Sequence, residues 1–406
     1  MTLRNNNNFK SILTMGLFTN IGDSLFFIVT MWYISFSYDS PVYAGLAVFL
    51  FTVPEALLIF LGPMIDRVNP KKILKISVII QLSVHLILIL LFFTDTINIY
   101  LLLILLLLSA IASTITYPVE ETILPQIVDN DEIVKANSLF TVAYKLTDAF
   151  FDGLGGIVLA IGSALIIYEM NLLIFLIPLI MLKFFKFNVQ TEDSESFSFS
   201  SYKLELKEGI YFVLKTNIKY ILLPIVVINL FTAISTVGLP FYAKELNSNP
   251  STYGFLLAFG GVGSILGVIF INRITKFIGA GKILSFGLLL HGLMWILFTF
   301  SLNTFMAYFF IFMSYFFMGA YNIVYSSLFQ IITPNHMLGR VNTTIDSLIT
   351  VAMPIGGLIG GIIINMISVN IALSLQGIAL IITAFIYIFN KWIFNIDKIS
   401  AIESNI

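Results

Sequence analysis

An all-α polytopic membrane protein, with twelve transmembrane helices in two pseudo-symmetric six-helix halves, is the fold class this sequence predicts. Three observations predict it. The 406 residues are 58% hydrophobic and only 11% charged, with a mean hydropathy of +0.99, too little charge to cover a soluble protein of this size. The apolar residues gather into runs close to the roughly 20 residues that one membrane crossing needs. The basic residues crowd onto alternate connections between those runs.

Taken in order, the apolar runs give spans at 11–36, 41–61, 73–93, 98–118, 136–160, 163–187, 218–242, 251–271, 282–301, 305–330, 341–367 and 370–393. Met1 to Lys10 is polar and Asn-rich, and the run after it lacks a small-residue cleavage site, so it is expected to stay as the first span. Residues 188–217 form the one clear linker. It opens with the acidic run Thr191-Glu192-Asp193-Ser194-Glu195-Ser196, and Lys203 to Thr216 then predicts a helix lying on the membrane surface. The expected divisions are 1–187, the linker 188–217, and 218–406.

With both termini in the cytoplasm, every Lys and Arg except Lys145 and Lys244 falls on the cytoplasmic side, the positive-inside signature. The chain has no cysteine, which removes disulfides and thiolate metal sites, and its histidines (His85, His291, His336) are scattered. Neither a nucleotide-binding loop nor a nucleophile–base constellation is visible, so no enzyme activity, cofactor, metal or nucleic-acid partner is expected. The excess of Ile, Asn, Lys and Phe over Arg suggests an AT-rich, bacterial genome.

The two halves carry a worn repeat. Gly62 recurs as Gly267, 205 residues on, and Lys135-Ala136-Asn137-Ser138 meets Arg340-Val341-Asn342-Thr343 at the same offset. Arg67 matches Arg273 with a one-residue slip, while Asp66 has no acidic counterpart, Asn272 being nearest. Parallel halves of this kind place a substrate site between them near the bilayer midplane.

The loop after the second span, Gly62-Pro63-Met64-Ile65-Asp66-Arg67-Val68-Asn69-Pro70-Lys71-Lys72, resembles the G-x-x-x-D-R-x-x-x-R/K-K signature of the major facilitator superfamily. More narrowly, the chain resembles that superfamily's drug/proton antiporter branch, which includes macrolide efflux proteins. The narrower likeness rests on Asn20-Ile21-Gly22-Asp23, Pro125-Gln126-Ile127-Val128, Glu205-Leu206-Lys207-Glu208-Gly209, Gly339-Arg340-Val341 and Pro354 with Gly356-Gly357. It covers essentially the whole chain. Three places depart from the pattern. No arginine stands at Leu108-Ser109-Ala110, the fifth-span motif Asp152-Gly153-Leu154-Gly155-Gly156 lacks its proline, and Asn69-Pro70 replaces the usual Gly or Asp followed by Arg.

Ionisable groups inside the spans need a reason, since each costs about 2.5–3.5 kcal/mol at a helix centre on insertion scales. Asp23 sits midway along the first span with Asn20 on the same face, and Glu55 follows Pro54 in the second. Lys145, Asp148 and Asp152 share one helix face at i, i+3 and i+7. Each is open to two readings: a polar contact that fixes helix packing, or a group that takes up and releases a proton. Glu120 and Glu121 are expected to be wet acids at a helix end, and His85 a hydrogen-bonded core residue. Tyr308, Phe312, Tyr315 and Asn322 on the tenth span, with Asn229 and Thr232 on the seventh, could line a cavity for an amphiphilic ligand, and Asn20 could join them. The glycine-rich stretches at 260–267 and 356–361 read as close helix contacts.

The resemblance implies a secondary active transporter of the bacterial cell membrane, multi-pass and monomeric. It would export amphiphilic small molecules such as macrolides against an inward flow of protons. Proton coupling would fall to Asp23, Glu55, Lys145, Asp148 and Asp152, and gating to Gly62, Asp66, Arg67, Lys71 and Arg340. Two alternatives stay open: export of a self-made metabolite such as a siderophore or peptide, and a non-transporting membrane accessory protein.

Overall fold

The protein is described by a computed structural model covering residues 3–65, 69–129, 163–185, 199–247, 249–333 and 338–397, with scattered positions between 132 and 158. The helices are α1 (Asn7–Tyr33), α2 (Pro41–Ile65), α3 (Pro70–Phe93), α4 (Ile99–Ile127), α5 (Ala164–Phe184), α6 (Phe199–Lys215), α7 (Ile218–Leu246), α8 (Pro250–Ile274), α9 (Ala280–Thr299), α10 (Thr304–Ile332), α11 (Leu338–Met366), α12 (Val369–Phe389) and the short α13 (Lys391–Phe394). No strand occurs among the described residues. Eleven of the described helices are long and apolar enough to cross a membrane. They match the predicted spans, except that the one at 136–160 falls largely outside the described residues. The predicted linker helix is α6, which begins a few residues earlier than expected.

Local chemistry explains several boundaries. Asn6, Asn98 and Asn303 cap α1, α4 and α10, each accepting from the backbone N–H three residues on, which satisfies one of the orphan donors of a helix start. Asn69-Pro70, the departure from the signature loop, does the same work for α3. Asn69 caps it and Pro70 takes the first helical position, where a missing N–H costs nothing. One boundary overturns the expectation. The apolar pattern stops the fourth span at Pro118, yet α4 runs through Pro118 and Pro125 to Ile127, because packed neighbours let membrane helices carry proline. Glu120 therefore lies inside the helix.

The chain divides into two compact units, Met1–Tyr38 with Leu50–Phe197, and Asp39–Phe49 with Ser198–Ile406. The first turns of α2 thus group with the second unit. In the first unit, α1 and α3 each pack on both α4 and α5, closing a four-helix ring. In the second, α7 packs on α12, and α9 packs on both α10 and α12. The lengths repeat as well. α4 and α10 are each 29 residues and start 205 apart, and α5 and α12 are each 21 residues with the same separation.

Small residues set the closest approaches. A Cβ added at Gly263 would run into the carbonyl oxygen of Phe312, and one at Gly267 into that of Phe316, so α8 and α10 touch backbone to backbone. The stripe on α11 serves two neighbours. Gly356 and Gly360 lie against Leu230 and Ile234 of α7, while Gly357 and Gly361 lie against Gly45, Val48 and Pro41 at the start of α2. Gly263→Leu should lower stability by about 1–3 kcal/mol, the usual cost of overpacking, seen as a lower unfolding temperature in detergent. Val262→Leu next to it, at a half-exposed position, should leave the transition in place.

Candidate functional site

The ring of the first unit encloses a polar chain contributed by all four of its helices. Asp23 of α1 is buried and accepts two hydrogen bonds, from Gln81 Nε2 of α3 on Oδ1 at 2.7 Å and from Ser113 Oγ of α4 on Oδ2 at 2.5 Å. Gln81 is saturated in turn. Its Nε2 also donates to the Ser109 carbonyl at 3.3 Å, and its Oε1 accepts from Ser109 Oγ at 2.5 Å. That backbone carbonyl fixes which end of the amide faces Asp23, since a flipped Gln81 would set oxygen against oxygen. Gln81 therefore always donates to Oδ1. A proton on Asp23 belongs on Oδ2, where the Ser113 hydroxyl needs only to turn from donor to acceptor.

The chain continues through the same helix. His85 Nδ1 lies 2.8 Å from the Gln81 carbonyl and Nε2 lies 3.2 Å from Asn171 Nδ2 of α5, which also donates to the Gly22 carbonyl at 3.0 Å. A carbonyl can only accept, so Nδ1 carries the hydrogen and Nε2 accepts, the tautomer of a neutral imidazole. The ring is fully buried, with Phe26 edge-on at 4.9 Å and Phe175 at 5.1 Å. Gly22 makes the crossing possible, because a Cβ there would meet Phe175 at 2.5 Å. His85 is thus the hydrogen-bonded core residue the sequence predicts.

The second unit repeats this frame without the acid. Ser314 and Gln376 stand 205 residues after Ser109 and Asn171, and His291 stands 206 after His85. His291 Nδ1 pairs with Tyr321 Oη at 2.9 Å, Ser314 Oγ donates to the His291 carbonyl at 3.3 Å, and Gln376 Nε2 donates to Thr232 Oγ1 at 3.2 Å. Asn229, 206 residues after Asp23, bonds back to the Ile225 carbonyl of its own helix at 3.0 Å.

The other predicted residues are spread more widely. Glu55 is exposed on α2. Asp66, Arg67, Lys145, Asp148 and Asp152 lie outside the described residues, as does the side chain of Arg340, while Gly62 lies in the last turn of α2. Lys71 is placed: its ammonium donates to the carbonyl of Phe185, the C-cap of α5, and lies 5.5 Å from that ring. A cation at a helix C-terminus is favourably placed, and it ties the start of α3 to the end of α5. Asn20 is half-buried on α1. Tyr308 stacks on Phe259 of α8 at 5.1 Å, Tyr315 lies against Gly260 and 6.2 Å from Trp295, Phe312 is half-buried, and Asn322 is exposed.

Gln81, Ser109, Ser113 and Asn171 do not stand out in the sequence as site residues, although a signal for them exists. Gln81 with His85, and Ser109 with Ser113, are polar pairs at i, i+4 inside otherwise apolar spans, each pair on one helix face. Gln81→Leu would leave Asp23 and Ser109 short of partners at once. It should cost about 1–3 kcal/mol, read as a lower unfolding temperature, while Ser83→Ala on the exposed face of α3 should change little.

Comparison with known proteins agrees with this architecture. Solved structures that match include the nucleoside transporter NupG, with a TM-score of 0.72 at 11% identity over 96% of this chain and 99% of that one. A bacterial homologue of the iron transporter ferroportin matches with a TM-score of 0.72 at 16% identity, over 97% and 99% of the two chains. Identities this low show the fold alone. Among curated proteins, the staphyloferrin A transporter of Staphylococcus aureus is 22% identical over 251 residues, spanning 61% of this chain and 62% of that protein's length. The family model described as transmembrane secretion effector matches residues 2–405, so the chain belongs to that family, a family of major facilitator superfamily transporters.

Proposed function

We propose that the protein is a proton-coupled exporter of amphiphilic small molecules that works by alternating access, with Asp23 as the group that carries the proton. One observation supports this reading above the others: a carboxyl group at the centre of a membrane-crossing helix, held by donors from two different helices. A charge at such a depth costs about 2.5–3.5 kcal/mol. Interhelical hydrogen bonds inside a membrane return about 0.6 kcal/mol each on average, and about 1.7 at most. Two of them offset part of that cost, about 1.2 kcal/mol on average and about 3.4 at most. A buried carboxyl under that residual cost responds to changes in its surroundings, and a proton drives transport only if the two conformations bind it differently.

In this reading the chain is a monomer in the cell membrane of a bacterium, with both termini cytoplasmic. Lys71 and the signature loop hold the cytoplasmic helix ends in one conformation. The half-buried groups Asn20, Asn229 and Thr232, with Tyr308, Phe312, Tyr315 and Asn322, are the candidates to meet the substrate. Glu55, Lys145, Asp148 and Asp152 would assist Asp23. A second reading, export of a self-made siderophore, is favoured by the partial likeness to the staphyloferrin A transporter. Macrolides remain a substrate suggestion drawn from the sequence resemblance.

A deletion strain with and without the expressed protein should differ in susceptibility to macrolides and dyes; a difference only in secreted siderophore would select the second reading. In inverted vesicles, Asp23→Asn should reduce transport driven by a pH gradient at least tenfold. Undiminished transport would remove Asp23 from the coupling role.

A further inference from the structure

The sequence pattern makes Glu120 a wet acid at the end of a span, and the structure places it elsewhere. Its side chain is 2% exposed, between Val119 and Ile123 of the apolar cluster that joins the ends of α1, α3, α4 and α5. Tyr144 Oη donates to Glu120 Oε2 at 2.5 Å. The carboxyl lies flat against α1 at Gly16, where an added Cβ would meet Oε1 at 2.7 Å and Oε2 at 2.8 Å. Glycine at 16 therefore makes the space that the carboxyl fills.

The register between the two helices gives this burial a consequence. Asp23 meets Ser113, and Gly16 meets Glu120, so seven residues along α1 match seven residues along α4 in the opposite direction. Seven residues are about two turns, or roughly 10 Å along the helix. Between the two levels the same seam carries Thr19 and Thr116, both buried. The two acids thus lie on one polar line, with Glu120 toward the end of the bundle where Lys71, Lys72 and Lys75 begin α3.

Resting on the reading of Asp23 as a proton carrier, we infer that Glu120 with Tyr144 forms a second proton-binding site. It lies on the cytoplasmic side of Asp23 along the α1–α4 seam, and its ligand is a single proton. In the inward transfer between the two sites, the O–H bond on Asp23 Oδ2 breaks and one forms on the Glu120 carboxylate. Ser113 turns back from acceptor to donor, and the summed charge of the two carboxyls does not change. The described residues of the elements packed on α4 bring the following other ionisable groups. Lys10, Lys72 and Lys75 are exposed and Lys71 is held by the Phe185 carbonyl. Asp23 lies about two turns deeper, His85 is joined through Asn171 to Gly22 beside it, and the side chains of Glu121, Lys145 and Asp148 are outside the described residues.

The test is infrared difference spectroscopy of the full chain in lipid nanodiscs as the pH is stepped, following the carbonyl stretch of protonated, buried carboxyls. The wild type should show two titrating bands, of which Asp23→Asn removes one and Glu120→Gln the other. Tyr144→Phe should move the midpoint of the Glu120 band alone, and Glu120→Asp should restore a titrating band. A Glu120→Gln spectrum identical to the wild type would overturn the proposal. So would a Tyr144→Phe variant that moves only the Asp23 band, and this arm still reports if Glu120→Gln fails to fold. If Asp23→Asn leaves the spectrum unchanged while Glu120→Gln removes a band, the Asp23 reading fails and the Glu120 site stands.

Discussion

The carboxyl of Asp23 can sit inside the first unit only because α3 and α4 each bring it a donor, and much of that unit's packing follows from the requirement. Gln81 has to present its nitrogen and Ser113 its hydroxyl, so α1, α3 and α4 cannot slide past one another without stranding a polar group. Ser109 completes the Gln81 amide from the same helix as Ser113. The carbonyl of Gln81 then fixes the His85 tautomer, and His85 with Asn171 reaches back to the backbone of α1 at Gly22. A network in which nearly every donor is matched holds one arrangement far better than apolar packing alone. It also offers one place where a single proton changes the pattern, the Oδ2 side of Asp23.

The two halves share this frame and differ in its chemistry. Serine, histidine and carboxamide recur at Ser314, His291 and Gln376, and the helices that carry them pack in the same order. The second half has Asn229 near the position corresponding to Asp23 and a tyrosine on its histidine, groups that hydrogen-bond without taking up a proton. A duplicated scaffold has kept its shape while, among the described residues, one copy holds buried acids at these levels. With Asp23 as the proton carrier, the first half answers the proton, and the second is left with neutral polar groups suited to a substrate.

The fold was largely legible in the sequence, because a membrane helix announces itself by length and apolarity, and the offset of 205 residues survived in scattered pairs. The apolar run starts the third span at 73, whereas α3 begins at Pro70, because Asn69-Pro70 is a helix-start signal as well as a departure from the signature. What escaped was what depends on neighbours. Pro118 looks like a terminus because proline breaks isolated helices, and a span ending there puts Glu120 in water, whereas the extended α4 puts it against Gly16. Asp23 stands out because a charge among apolar residues is conspicuous. Gln81, Ser109, Ser113 and Asn171 do not, because uncharged polar residues occur in spans for many reasons and their meeting is a matter of helix register. The aromatic face on α10 is visible as a face, but only the structure shows Tyr308 and Tyr315 set against α8 and α9.

The central claim, that the buried Asp23 carboxyl exchanges a proton while Ser113 and Gln81 hold it, is tested most directly by carbon-13 NMR of the aspartate carboxyls in the full chain. The Asp23 signal would be assigned by its loss in an asparagine variant and followed as the pH is changed. A proton carrier at this position requires that the signal titrate while the protein stays folded, and that its midpoint move when Ser113 is changed to alanine. A signal that keeps one chemical shift over the whole range in which the protein is folded would contradict it.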